Sequence, residues 1–327
     1  MTAPMTRRWR IGLLGCGRMG RVHAERLRDT GRVDITAIYD TAPAAAQLLQ
    51  QQLAPGAHQA ATDTELLQFP ELDGVVICSP THLHVPQVEL AVKAGLHVLC
   101  EKPLADTATG LQRLLALVEH SGCHHVLAYQ RRFWATYRTL AREVQSGRWG
   151  AIRAVTSHNT ERWQQTIPGT WRDNPTSNPG GFLGDAGSHK IDALFYVTGL
   201  QPQSVFARTQ LVGSRVEVHA SVCGLLTDDV PLTMDFIGSA EHQAEDLTIH
   251  CDEADLMIRD WRAWIAREND VRPLEPLEPG FVPASGFIDI LDGRLTNPAP
   301  FTVARPVWDL TQMILASAQS GTVVVQS

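Results

Sequence analysis

From Arg7 to Gly20 the chain reads RRWRIGLLGCGRMG: a short apolar run, glycines at 15, 17 and 20, then the opening of a helical pattern. No other feature narrows the fold as far. A strand that feeds G-x-G-x-x-G into a helix makes a loop whose backbone can approach a pyrophosphate. The helix N–H groups and dipole then stabilise the bound charge. Gly15, Gly17, Arg18, Met19 and Gly20 are the expected contacts. Asp40 lies twenty residues past Gly20, at the end of the next apolar run, where a carboxylate accepts hydrogen bonds from an adenosine ribose. Thr41 and Ala42 follow it, with no arginine to receive a 2′-phosphate, so NAD is expected over NADP.

The same letters admit an export reading: paired arginines, an apolar run, and Cys16 as a lipid anchor. Length argues against it. Only Ile11 to Gly15 separates Arg10 from Cys16, against roughly 7–15 apolar residues in a signal core, and Arg18 and Arg21 follow at once. Cys16 is expected to be a loop residue of a cytoplasmic protein. The six cysteines form no C-x-x-C pair and several sit in apolar runs, the pattern of buried free thiols. A net charge of −7 argues against a nucleic-acid partner, and no apolar run approaches the ~20 residues of a membrane span.

Beyond Gly20, apolar strands alternate with helical patterns up to HHVLAYQ, the sign of parallel pairing. The fold class expected is α/β: residues 1–130 as a Rossmann-type doubly wound parallel sheet that binds NAD. Residues 131–327 are expected to form an α+β domain with a largely antiparallel open sheet for substrate and oligomerisation. There RVEVHASVCGLL puts Val216, Val218, Ala220 and Val222 on one face, and a helix is expected from about 182 to 197.

Three further segments carry chemistry. They are SPTHLHVPQVELAVKAGLHVLCEKPLA (79–105), AYQRRFWATYRTLAREVQSGRWGAI, and GGFLGDAGSHKIDALFYVTG. Asp185 and His189, four apart, share a helix face. Lys102 ends a strand at the carboxyl edge of the sheet, where doubly wound folds place ligands. An alcohol oxidation needs a base, for which His189 suits, and charge support for the forming alkoxide, for which Lys102 suits. Asp185 would orient His189 or bind a hydroxyl. Trp163, Trp171 and Arg172, in the turn-rich loop before Gly180, have the chemistry to stack on and bond a sugar. His82, His84, His124 and His125 lack carboxylate or thiolate company at ligand spacing, so no metal is expected.

These segments together closely resemble the Gfo/Idh/MocA family of glucose–fructose oxidoreductase and inositol dehydrogenase. Ser79-Pro80-Thr81-His82-Leu83-His84 is similar to its T-P-N-x-x-H pattern, with Ser for Thr and Thr for Asn. Glu101-Lys102-Pro103 matches E-K-P, and Gly180 to His189 matches G-G-x-x-x-D-x-G-x-H. The resemblance implies cofactor contacts at Ser79, Pro80, Thr81, His84, Glu101, Lys102 and Arg131, and a cis bond between Lys102 and Pro103. It implies catalysis by Lys102, Asp185 and His189 on a sugar or polyol, with lysine the proton carrier in some members. It also implies a homodimer or homotetramer formed through the open sheet. Two alternatives follow: an NAD-retaining redox glycosidase of the same family, or a dinucleotide-binding sensor without catalysis.

Overall fold

In the computed structural model β1 (Trp9–Leu14) carries WRIGLL, its last four residues fully buried. Residues 8–277 and 279–326 are described. Arg7 of the export reading, and the start of the expected first domain, lie outside them. The alternation of apolar runs continues through α1 (Arg18–Asp29), β2 (Val33–Tyr39), α2 (Pro43–Leu53), β3 (His58–Gln59), α3 (Asp63–Leu67), β4 (Gly74–Ile77), α4 (His84–Lys93), β5 (His97–Cys100), α5 (Ala108–Glu119) and β6 (His125–Leu127). The six strands are parallel, in the order β3-β2-β1-β4-β5-β6. The chain leaves β1 to one side for β2 and to the other for β4. The crevice outside the carboxyl ends of β1 and β4 is therefore the topological switch point, where open α/β sheets bind ligands. β4 is GVVI, buried at every residue, as a strand covered on both faces requires.

Past a 3₁₀ turn (Gln130–Phe133) come α6 (Ala135–Gln145), β7 (Ile152–Thr160), α7 (Ser188–Thr198), β8 (Pro202–Gln210), β9 (His219–Leu226), β10 (Val230–Ile237), β11 (Ala244–Cys251), β12 (Asp255–Arg259), β13 (Arg262–Arg267) and β14 (Asp270–Pro273). With β15 (Val324–Val325), which follows α8 (Pro283–Leu291) and α9 (Ala304–Ser320), they form a nine-stranded sheet, order β14-β13-β12-β11-β7-β10-β9-β8-β15. Only β7 and β10 pair in parallel. Along β9 and β10, Ala220, Val222, Leu232, Met234 and Phe236 are buried while Ser221, Cys223, Pro231 and Thr233 are exposed, so one face packs and the other is open.

The described residues form two compact units: those up to 129 with 281–302, and those from 130 to 280 with those from 303 on. The sequence reading leaves 281–302 in the second domain. In the structure α8 packs on α1, β5 and β6, and Ala299 accepts the amide of Leu127 across 2.8 Å. The apolar side chains Phe287, Ile288 and Ile290 of α8 are buried there.

Two local expectations change. The helix expected from about 182 opens as a π-helical turn, Leu183–Gly187, before α7 begins. The strand expected from Arg215 begins only at His219. Val216 and Val218 are still buried, but the carbonyl of Glu217 is taken by the amide of Phe182 at 2.8 Å, which draws this stretch out of the ladder.

Candidate active site

The first unit gathers one set of residues at the carboxyl edge of its sheet. Gly15 bonds the carbonyl of Tyr39, Cys78 that of Leu14, and Glu101 that of Ile77, so the ends of β1, β2, β4 and β5 are laced together. Gly15 has φ +91°, and a Cβ there would strike the backbone of Cys78 and Ser79. Gly17 is the N-cap of α1, with no side chain capping the helix and nothing within 4 Å of where its Cβ would stand. This is a cradle with bare helix N–H groups and open space above it, and it fits a dinucleotide pyrophosphate. Arg18 and Met19 are exposed beside it. Asp40 accepts from the amides of Cys16 (2.7 Å) and Ala42 (2.8 Å), which fixes its carboxylate at the end of β2. Burial, with the Asp40 charge, pushes the Cys16 thiol up to about 12, so it is an inert loop side chain.

The remaining family positions in this unit hold one another. Ser79 donates to Gln87 (2.6 Å), Pro80 is exposed, and Thr81 is buried at the head of a 3₁₀ turn. His84, expected to contact cofactor, is a buried brace. Its ring nitrogens lie 2.8 Å from the carbonyl of Pro103 and 2.9 Å from that of Ser79, tying two loops of the edge together. Burial holds its pKa below the usual imidazole value, although both carbonyls act the other way. Glu101 likewise turns inward. Its Oε1 lies 2.8 Å from His23 Nε2 of α1, and its Oε2 accepts the Lys102 amide at 3.2 Å. Burial would raise this carboxyl, but the His23 hydrogen bond and the charges of His23 and Lys102 outweigh it and hold the pKa low. Lys102 itself is half-buried, and its bond to Pro103 is cis.

The second unit builds its set around Asp185, in the π turn. This carboxylate is 5% exposed, and its Oδ2 accepts from Trp163 Nε1 at 3.0 Å and Arg172 Nε at 2.8 Å. Trp163, expected to meet substrate, is 4% exposed and packs on Phe182. Arg172 is half-exposed with its guanidinium 4.5 Å from the Trp171 ring centroid, and that ring is also half-exposed. His189 is half-buried in the first turn of α7. Arg131, expected at the cofactor, is instead 2% exposed, with Nε 2.6 Å from Glu245 and Nη2 on the other carboxylate oxygen. Its Nη1 is buried without a hydrogen-bond partner among the described residues. Among the described residues no group of three His, Cys, Asp or Glu side chains could hold a metal ion, and no helix is long and apolar enough to cross a membrane.

Two family models match successive stretches of the chain: an oxidoreductase-family NAD-binding Rossmann fold over residues 9–129, and a GFO/IDH/MocA C-terminal domain over residues 137–257. The chain belongs to the Gfo/Idh/MocA family. Among its relatives, the rhizopine catabolism protein MocA of Rhizobium meliloti is 31% identical over 60% of this chain and 59% of its own length. Inositol 2-dehydrogenase of the same species, strain 1021, is 30% identical over 61% of this chain and 57% of its own. The matched part thus spans less than two thirds of those relatives. A levoglucosan dehydrogenase solved with NADH and levoglucosan superposes with a TM-score of 0.86 over 98% of this chain and all of that one. At 20% identity it speaks to the fold alone.

Several charged partners in this Gfo/Idh/MocA member escape the sequence reading: His23 beneath Glu101, Glu245 beneath Arg131, and Lys190 with Glu161 behind the π turn. Each is paired across at least 29 residues with no shared local period. A lysine inside an apolar helix pattern, as at Lys190 within α7, is the one signal in the sequence that could have found any of them.

Proposed function

We propose that this chain is an NAD-dependent oxidoreductase that moves a hydride between a secondary hydroxyl or ketone of a sugar, inositol or related polyol and a nicotinamide. The observation that carries this reading is Asp185: a carboxylate sealed from solvent, aimed by an indole and a guanidinium, one turn ahead of a half-buried imidazole on the same helix. The names of the relatives, a rhizopine catabolism protein and an inositol dehydrogenase, support a polyol substrate.

In this reading an imidazole nitrogen of His189 takes the hydroxyl proton. The Lys102 ammonium offsets the charge of the developing alkoxide. Asp185 orients the imidazole or a neighbouring hydroxyl. The half-exposed ring of Trp171 and the guanidinium above it give a sugar one apolar and one hydrogen-bonding surface. The Gly15–Gly20 loop holds the pyrophosphate. Bound NAD supplies the hydride acceptor. The Asp40 carboxylate, where a ribose would lie, favours its hydroxyls and repels a 2′-phosphate, so NAD is preferred to NADP.

The open sheet face suits a second copy of this chain, giving a homodimer or a homotetramer. Free, buried thiols at Cys16 and Cys100 accord with a reducing compartment, the cytoplasm. The test is a panel of inositols, sugars and sugar acids offered with NAD to the purified full chain, scored by NADH absorbance. Turnover of at least one polyol, with NADP clearly poorer, is the expected result. No turnover of any panel member in either direction overturns the reading.

A further inference from the structure

Behind the π turn lies a buried charge cluster that no step of this chemistry uses. Lys190, the residue after His189, has a side chain only 2% exposed. Its ammonium donates to Glu161 Oε2 at 3.1 Å, reaches back to the Ala186 carbonyl at 3.4 Å, and lies 3.9 Å from Glu245. Glu245 is held in turn by Arg131 and by the Tyr137 hydroxyl. Burial and the nearby Arg131 charge lower the Lys190 pKa, with the two carboxylates opposing them.

Stability alone is a poor reason for such a group. Buried ion pairs are often replaced by apolar residues with no loss or with a gain of ~1–4 kcal/mol, and their best-attested use is to select one arrangement of the chain. Here there is an arrangement to select. A π turn carries one residue more than an α turn, and annealing it would rotate Asp185 by about 100° relative to α7. Several contacts oppose that slip. Glu161 and Trp163, just past the end of β7, reach Lys190 and Asp185 respectively. Ser188 Oγ adds a bond to the Asp185 carbonyl at 2.7 Å.

We propose that Lys190, clamped between Glu161 and Glu245, is a positioning residue that locks the π turn and so keeps Asp185 and His189 in their working register. The inference rests on the proposed oxidoreductase reading for its consequence in rate, though not for its consequence in local order. Lys190→Met keeps the stem and removes the charge. The variant should fold, because Glu245 retains Arg131 and Tyr137 and Glu161 reaches solvent.

The test uses the full chain, with hydrogen exchange read by mass spectrometry alongside steady-state kinetics. Amides of residues 183–189 should exchange roughly tenfold faster in Lys190→Met, while β7 and β11 stay protected. The kcat for polyol oxidation should fall about 10–100-fold, as a misplacement near 1 Å does, with KM for NAD unchanged. Glu161→Gln, the milder variant at the solvent end, should move both readouts the same way, and Lys190→Arg should restore part of each. Unchanged exchange over 183–189 in Lys190→Met and Glu161→Gln overturns the proposal. So does faster exchange with kcat intact. If the unaltered protein oxidises no polyol, the functional reading fails and the exchange comparison alone decides the clamp.

Discussion

Gly17 and Gly20 belong to one motif but are glycines for different reasons, and exchanging each for alanine separates a ligand's demand from the protein's own. A Cβ on Gly20 would stand 1.9 Å from the Gly15 carbonyl oxygen, where real Cβ contacts stay above 3.0 Å. The loop would have to open by about 1 Å, and overpacking of this kind costs ~1–3 kcal/mol. Gly17 has φ −70°, which any residue adopts, and its Cβ would meet nothing within 4 Å. Gly17→Ala gains about 0.4–1 kcal/mol from a stiffer unfolded chain and gives back a similar amount by putting alanine at an N-cap. Its melting temperature should therefore stay within about 4 °C of the unaltered protein. Its affinity for NADH should not survive, because the new methyl occupies the space the pyrophosphate needs. Loss of hydrogen bonds to a charged group, ~1.5–3 kcal/mol, corresponds to a rise in Kd of about 10–150-fold. NADH titration by fluorescence, with thermal melts of both variants, reads the two quantities separately. If Gly17→Ala binds NADH as the unaltered protein does, the motif is only a tight strand–helix turn. If it melts as early as Gly20→Ala, the geometric reasoning itself is wrong.

Three other outcomes are expected. Lys102→Ala should lower turnover on the true substrate by roughly 10²–10³ and His189→Ala by about 10²–10⁴, with NADH affinity nearly unchanged in the latter; full turnover of His189→Ala would remove it from the chemistry. Asp40→Ala should weaken NAD and narrow its advantage over NADP, which parallel titrations with the two cofactors measure. Burial, aided by the neighbouring His97 and His124, pushes His125 down to about 4, while an unfolded imidazole titrates near 6.5. The unfolded chain therefore takes up the proton first. Stability from this site is complete above about pH 6.5 and is lost as pH falls toward 4, by on the order of 1–3 kcal/mol. Urea melts at both ends of that window, with and without His125→Gln, should show the slope disappear in the variant.

The parallel sheet could be read from the chain because a covered strand such as GVVI and a helix such as α5 each carry their own period over a few residues. The glycine loop and Asp40 were marked by their short spacing, and the EKP corner by the family resemblance. What escaped depends on distance. Glu101 meets His23 across 78 positions and Arg131 meets Glu245 across 114, so nothing local marks either partner. Arg131 was expected at the cofactor from the family resemblance and Trp163 at the substrate from its residue type; both are buried against carboxylates, and burial is a property of the packed chain. The π turn was missed because one extra residue barely alters an i,i+4 pattern while it shifts the phase of the helix behind it.

The return of residues 281–302 to the first unit has a bearing on how this protein can be taken apart. The polypeptide passes from one unit to the other three times, after residues 129, 280 and 302. Neither unit is a single stretch of gene. A fragment ending at Tyr129 would leave the amide of Leu127 without the Ala299 carbonyl and the flank of α1 without α8. A dinucleotide-binding module that trades freely among proteins needs one cut at each end. Here a single junction near residue 130 would deliver an incomplete first unit and a surplus segment on the second, so exchanging the first unit whole takes cuts near residues 129, 280 and 302.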